Sequence, residues 1–304
     1  MTLVTTAFDD LPTALVEELD KTGLDARAVH DLVVRALAED VPTEDVTSVA
    51  TIAADARGVA DFNAREPGVV AGLAVAELVF RTVLGEDVDV PLRVDDGTVV
   101  EPGDAVLTVA GPIRGLLTAE RTALNLACHL SGVATATAAW VAALEGTRAR
   151  VLDTRKTLPG LRALQKYAVA CGGGVNHRFS LSDRAMVKDN HVEAAGGVVP
   201  AYQAVRAAYP DLRVEVEVTD LDQLRALLDA GCTEILLDNM DPATMAEAVR
   251  ITADRATLEA SGGLTLERAR EVATTGVDFI SVGALTHSVK VFDLGMDLRP
   301  VGAV

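Results

Sequence analysis

The chain has 304 residues, a formal net charge of −18, 49% hydrophobic residues and only 3% aromatics. That is enough for one large or two moderate domains with cores built from Ala, Val and Leu. The acidity excludes sequence-independent nucleic-acid binding, which needs a broad basic surface. No run of 18 or more apolar residues occurs, so no membrane span is expected, and Met1 to Asp20 lacks the basic start of a signal peptide. Cys128, Cys171 and Cys232 are odd in number without CxxC spacing. They read as small buried hydrophobes in a reducing cytoplasm.

The first half reads as an α+β unit. Ala28-Val29, Leu32-Val33 and Ala36-Leu37 recur at helical spacing and predict an amphipathic helix ending near Glu39-Asp40. Short apolar runs then alternate with turn signals at Glu66-Pro67-Gly68, Asp95-Asp96-Gly97 and Glu101-Pro102-Gly103, predicting hairpins and a small sheet. A helix is expected from Thr118 to a break at Ser131-Gly132, and a second from there to about Leu144.

After residue 148 the pattern becomes strand, loop, helix, repeated. Strand candidates end near Val151-Leu152, Met186-Val187, Val214–Val218, Ile235–Leu237, Leu258-Glu259 and Phe279–Val282. Helical patterns lie between them at Leu161–Ala170, Glu193–Ala208, Asp220–Ala230, Pro242–Ala253 and Thr265–Thr275. This is the spacing of βα repeats with parallel pairing. The strands are followed in turn by Asp153/Arg155/Lys156, Lys188, Glu217, Asp238, Ser261-Gly262-Gly263 and Gly283. In a β/α barrel the C-terminal strand ends converge on one catalytic mouth, so this regularity points to function.

Charge supports that placement. Residues 153–191 hold seven Lys/Arg (Arg155, Lys156, Arg162, Lys166, Arg178, Arg184, Lys188) against three Asp, a cationic island in an acidic chain. Such an island is either an ordinary charged face or a focused anion site, and its position at strand ends favours the site. Arg155, Lys156, Arg178 and Lys188 suit a ligand with several negative groups, arginines as carboxylate forks and lysines as point charges. Glu217 and Asp238 would hold Mg²⁺, usually through waters, or accept hydrogen bonds from sugar hydroxyls; a general-base role is less favoured. Glu215 shares the inward face with Glu217, and periodicity does not choose between them. The glycine loops at 261–263 and 283 sit where barrels bind phosphate through backbone N–H groups. His287 is placed to donate there or to cap. Cys171-Gly172-Gly173-Gly174 reads as a helix C-cap or a flexible loop, followed by His177, either ligand-orienting or structural.

Several runs together resemble the signature of the carboxylating nicotinate-nucleotide pyrophosphorylases, the quinolinate phosphoribosyltransferase family. They are Asp153-Thr154-Arg155-Lys156-Thr157, Lys166-Tyr167-Ala168-Val169 leading to Gly172-Gly173-Gly174, His177-Arg178 with Asp183, and Lys188-Asp189-Asn190-His191. Further matches are Glu120–Asn125, Val214–Val218, Leu237–Met240, Ser261–Gly263, Gly283–Ser288, Glu39-Asp40 and Asp45-Val46-Thr47, so the resemblance runs from about Ala36 to the C-terminus. Glu44 and Ser180 stand where the family has glycine or a glycine-like slot.

The resemblance implies an α/β fold: an incomplete TIM-like β/α barrel, type II phosphoribosyltransferase-like, with an N-terminal α+β sandwich domain. The expected boundaries are 1–130 for the sandwich, with 290–304 packing back on it, and 131–289 for the barrel. It also implies that quinolinate and phosphoribosyl pyrophosphate (PRPP) become nicotinate mononucleotide, pyrophosphate and CO₂, with Mg²⁺, in NAD biosynthesis. Arg121, Arg155, His177, Arg178 and Lys188 would bind quinolinate, with Thr154 also in contact with substrate. Lys156, Ser261, Gly262, Gly263, Gly283 and His287 would take phosphate groups. Glu217 and Asp238 would serve ribose and Mg²⁺, and with Lys188 form the catalytic set. A homodimer would bring Arg121 into a neighbouring subunit's site. The readings weighed against this are a paralogue with another substrate, a Schiff-base aldolase using Lys188, and a non-catalytic anion-binding protein.

Overall fold

A computed structural model describes residues 4–301. Residues 1–3, the start of the segment read as lacking a leader, and 302–304, the tip of the segment expected to pack on the first domain, lie outside the described residues. In chain order the helices and strands are α1 (Thr13–Lys21), α2 (Ala26–Asp40), α3 (Val46–Thr51), β1 (Arg57–Ala64), β2 (Gly68–Val69), α4 (Leu73–Leu84), β3 (Asp89–Arg93), β4 (Val99–Val100), β5 (Ala105–Pro112) and α5 (Ile113–Ala143). Then follow β6 (Arg150–Leu152), α6 (Arg162–Cys171), β7 (Ala185–Val187), α7 (Asp189–Ala195), α8 (Val198–Ala208), β8 (Val214–Val218), α9 (Leu221–Asp229) and β9 (Glu234–Asp238). The last are α10 (Pro242–Thr252), β10 (Thr257–Ser261), α11 (Ala269–Ala273), β11 (Phe279–Ser281), α12 (Ala284–His287) and β12 (Leu294–Pro300). They form two compact units: Met1–Ala136 with Ala163–Gly172 and Val289–Val304, and Thr137–Arg162 with Gly173–Ser288. The helix expected to open the barrel, α6, therefore falls mostly in the first unit.

The first unit holds an antiparallel sheet in the order β12-β1-β5-β3. Alternation along β1 buries Ala60, Phe62 and Ala64, as a half-buried strand requires. Phe62 meets Phe80 of α4 edge-to-face, with ring centroids 5.8 Å apart, a favourable aromatic geometry. The last strand, β12, pairs with β1 from Gly58↔Pro300 to Ala64↔Leu294. Asp45 caps α3 by accepting the Ser48 amide at 3.0 Å, and Asp96 caps α4 by accepting the Gly72 and Leu73 amides.

The expected break at Ser131-Gly132 does not occur, because α5 runs unbroken through it. Both residues serve contacts instead. Ser131 Oγ accepts the Ala71 amide and donates to the Ala71 carbonyl. A Cβ at Gly132 would lie 2.3 Å from the Lys290 carbonyl oxygen. By length and composition α5 could cross a membrane, but 56% of its most apolar 18-residue window is buried, so it reads as a core helix. The predicted helix over 193–208 is instead α7 and α8, separated at Gly196 and Gly197, whose φ values of 80° and 140° admit little but glycine.

The second unit is a six-stranded parallel sheet in the order β6-β11-β10-β9-β8-β7. A single bridge from Leu152 to Val175 extends it beyond β6. Six strands in place of eight make the incomplete β/α barrel expected. Alternation in β8 puts Val214, Val216 and Val218 on one face, all buried, and Glu215 and Glu217 on the other.

Candidate active site

The site is built at the C-terminal ends of these strands, within the second unit. Two cavities adjoin there and share Thr154, Lys156, Lys188, Ser261 and Ser281. The first, about 290 Å³, adds Arg155, His177, Arg178, Met186, Leu236 and Glu259. The second, about 440 Å³, adds Glu217, Asp238, Asn239, Gly262, Gly263, Gly283 and His287.

The first cavity is cationic and short of partners. Arg155 Nε is buried without a hydrogen-bond partner, an unmet donor that calls for an acceptor. Burial, and then the neighbouring Arg155, pull the Arg178 pKa below its ordinary value. Two guanidiniums pressed together in this way favour a bound dianion. Lys188 follows β7 at the first-turn cap of α7, its amide donating to His191 Nδ1 at 3.0 Å. Its Nζ lies 2.9 Å from Glu217 Oε2.

Beneath the cavity lies a buried polar cluster. Asp153, fully buried, accepts the His177 amide at 2.8 Å; it braces the site and does not line it. His177 Nε2 stands 2.9 Å from Glu215 Oε2 and 3.3 Å from Glu259 Oε2. Burial disfavours an imidazolium, while the hydrogen bond to Glu215 and then the nearby Glu259 carboxylate raise the pKa. The Arg178 amide donates to Nδ1 at 2.6 Å, leaving no room for a second ring proton. These partners assign the Nε2–H tautomer. Arg184 Nη2 lies 3.3 Å from Glu215 Oε1 and also pairs with Glu234. Ligand atoms of His177, Glu215 and Glu259 lie within 4.8 Å of one another, a spacing that could cage a metal ion. The Nε2–H of His177 already donates to Glu215 there, and the Arg184 guanidinium supplies the positive charge. Glu215 is thus an internal brace, and Glu217 is the one that lines a cavity.

The second cavity is floored by backbone. Gly262 and Gly263 have φ of 98° and 58°, and a Cβ on Gly262 would come within 2.3 Å of Asn239 Oδ1. Asn239 is itself left-handed at φ 51°, and its Nδ2 donates to Asp238 Oδ2 at 3.0 Å. A Cβ on Gly283 would meet Lys156 Cδ at 2.9 Å and His287 Nε2 at 3.2 Å. Thr286 Oγ1 donates to the Lys156 carbonyl at 2.7 Å, tying the β6 and β11 loops together.

Of the fourteen residues singled out from sequence, thirteen line one or both cavities. Arg121 lines neither: it lies on α5 in the first unit, 62% exposed, with Glu120 at 4.0 Å. Three cations of the island do other work. Arg162 straps two loops, donating to Thr157 Oγ1 and the Phe179 carbonyl. Arg184 is internal, and Lys166 is buried in the first unit. Glu259 was not singled out, although it shares a strand face with Ser261 two residues on. Cys128 and Cys232 are free and buried; Cys171 is free and half-buried.

Comparison with known proteins gives the same picture over nearly the whole chain. The family model for the quinolinate phosphoribosyl transferase N-terminal domain matches residues 45–131, and that for the C-terminal domain matches 133–297. A nicotinate-nucleotide pyrophosphorylase (carboxylating) of Mycobacterium leprae is 54% identical over 276 residues, 89% of this chain and 97% of its own. A probable nicotinate-nucleotide pyrophosphorylase (carboxylating) of Bacillus subtilis is 42% identical over 86% of this chain and 90% of its own. The crystal structure of NadC from Streptococcus pyogenes superposes with a TM-score of 0.87 at 39% identity, covering 94% of this chain and 98% of that one. With both domain types matched in series on this fold, the chain belongs to the quinolinate phosphoribosyltransferase family.

Proposed function

We infer that this protein transfers the phosphoribosyl group of PRPP to quinolinate and removes the 2-carboxylate, yielding nicotinate mononucleotide, pyrophosphate and CO₂ for NAD biosynthesis. The observation that carries this is the pair of adjoining cavities. One presents Arg155, Arg178 and Lys188 to a compact dianion. The other presents two glycine loops, Lys156 and two carboxylates to a phosphorylated sugar.

The residues divide the chemistry. Arg155 and Arg178 fork the quinolinate carboxylates, with His177 and Thr154 beside them, and hold the ring nitrogen toward the second cavity. The nitrogen forms a bond to C1 of PRPP as the C1–oxygen bond breaks. Lys156, His287 and the amides of Ser261, Gly262, Gly263 and Gly283 take the phosphate charge. Glu217 and Asp238 accept ribose hydroxyls. The C2–carboxylate bond then breaks, and its electron pair stays on C2, stabilised by the adjacent positive ring nitrogen, until C2 takes a proton. Mg²⁺ fits the same place, since Glu217 and Asp238 offer hard oxygen donors from neighbouring strands in one cavity. When bound there it supplies charge neutralisation for the pyrophosphate.

The exposure of Arg121 supports a homodimer in which it reaches the first cavity of a second copy. Free cysteines accord with a cytoplasmic setting. A single assay tests the reaction: pyrophosphate and CO₂ release with PRPP plus quinolinate, against PRPP plus nicotinate. Quinolinate-dependent release of both products is expected. Release with nicotinate alone would point to a paralogous substrate, and trapping of Lys188 by borohydride with a carbonyl compound would point to an aldolase.

A further inference from the structure

The reaction inferred above has one unassigned need. When the C2–carboxylate bond breaks, the electron pair left on C2 must take a proton, and nothing described so far supplies it. The candidates are the groups lining the first cavity. Arg155 and Arg178 are guanidiniums, far too basic to give up a proton. His177 directs its Nε2–H at Glu215, 2.9 Å away, and its Nδ1 accepts the Arg178 amide. Lys188 is tied to Glu217 at 2.9 Å. Thr154, Ser261 and Ser281 offer only weakly acidic hydroxyls.

Glu259 remains. It lines the cavity yet is only 3% exposed, and neither carboxyl oxygen has a hydrogen-bond partner. His177 Nε2 comes within 3.3 Å of Oε2 without hydrogen-bond alignment. A buried ionised carboxylate with no donor carries a severe desolvation cost. The groups around it decide its form. Glu215 on β8 contributes a negative charge, itself compensated by Arg184, and Leu236 on β9 contributes none, while His177 and the Ser281 hydroxyl favour the ionised form. Burial, and then Glu215, push the Glu259 pKa up. The group is an acid shifted toward its protonated form against a cavity built for an anion.

We propose that Glu259 is the proton donor that converts the C2 carbanion to C2–H as carbon dioxide departs. The O–H bond of Glu259 breaks, the C2–H bond forms, and the electron pair of the lost carboxylate bond ends in it. The new carboxylate faces Nε2–H of His177 at 3.3 Å, and solvent restores the proton once product leaves. This rests on the reaction assigned above and deepens it.

The test compares the wild-type protein with Glu259→Gln, which keeps shape but has no acidic proton. Wild-type formation of nicotinate mononucleotide establishes the reaction itself, so its absence would fault the functional reading and not this one. Glu259→Gln should lower the rate of CO₂ release about a hundredfold, within the usual range for loss of a general acid. The quinolinate KM should change less than about threefold, and the single-turnover pyrophosphate burst should persist, showing a folded, substrate-competent protein. A second readout is the hydrogen/deuterium ratio at C2 of product formed in mixed H₂O/D₂O, which should differ between the two proteins. Near-normal CO₂ release by the variant would overturn the proposal. So would loss of the pyrophosphate burst in step with CO₂ release, or an unchanged isotope ratio, since each marks a structural role.

Discussion

Lys188 Nζ stands 2.9 Å from Glu217 Oε2, joining a lysine that lines both cavities to a carboxylate that lines the second. Lys188 is 46% exposed and Glu217 11%, so the pair is worth little as a stability contact and much as a positioning device. Lys188→Ala should lower kcat/KM for quinolinate by about 10²–10³-fold, the usual loss for one preorganised electrostatic group. The melting temperature should move by only a few degrees. Coupled pyrophosphate assays beside thermal unfolding check this, and near-normal turnover would remove Lys188 from the chemistry.

Gly262→Ala tests the floor of the second cavity. Alanine at φ 98° is strained, and its Cβ would lie 2.3 Å from Asn239 Oδ1. The expected cost is about 1–3 kcal/mol of stability. Because Asn239 holds Asp238, the KM for PRPP should rise more than that for quinolinate. Denaturant unfolding and separate substrate titrations read the two effects.

Asp238→Asn addresses the metal. It removes one hard anionic donor while leaving the Lys188–Glu217 pair intact. The Mg²⁺ concentration for half-maximal rate should rise at least about tenfold, and a chelator should stop the wild-type reaction reversibly. An unchanged Mg²⁺ dependence would place the ion elsewhere.

The loop after His177 carries a pH signature. Burial alone would raise the Asp183 pKa, but the Phe179 and Ser180 amides, 2.6 and 2.9 Å from its carboxylate, hold it down to about 2. A depressed carboxylate pKa stabilises the folded loop above the ordinary value of 3.8 and loses that contribution as pH falls through about 2. Hydrogen exchange, corrected for intrinsic rates, should show the Phe179 and Ser180 amides protected at pH 5 and progressively less so between pH 4 and 2. Asp183→Asn should flatten that change.

The barrel and its mouth were readable in sequence because each βα unit repeats one instruction. An apolar strand ends, and a polar or glycine residue follows at the point where strand ends converge. Lys188 and Asp238 announce themselves in this way. Glu259 does not, since a lone glutamate inside a strand could face either side. Its role depends on Glu215 and His177, which lie far off in sequence. Tertiary contacts also explain the failed break at Ser131-Gly132. Those residues signal a turn locally, but Ser131 is occupied by the Ala71 backbone and Gly132 by the close approach of Lys290. The 193–208 helix failed for the opposite reason, two left-handed glycines whose local preference prevailed.

The pairing of β12 with β1 has a consequence for how the protein is made. Residues 57–64 are synthesised early, and their partner along one edge, 294–300, is synthesised only after the whole second unit. While the ribosome is still translating the barrel, β1 has an unpaired row of amides and carbonyls, the kind of edge that invites association between nascent chains. Closure of the first sheet is therefore a late event in biogenesis, and a ribosome stalled before codon 294 would leave a product with that edge open.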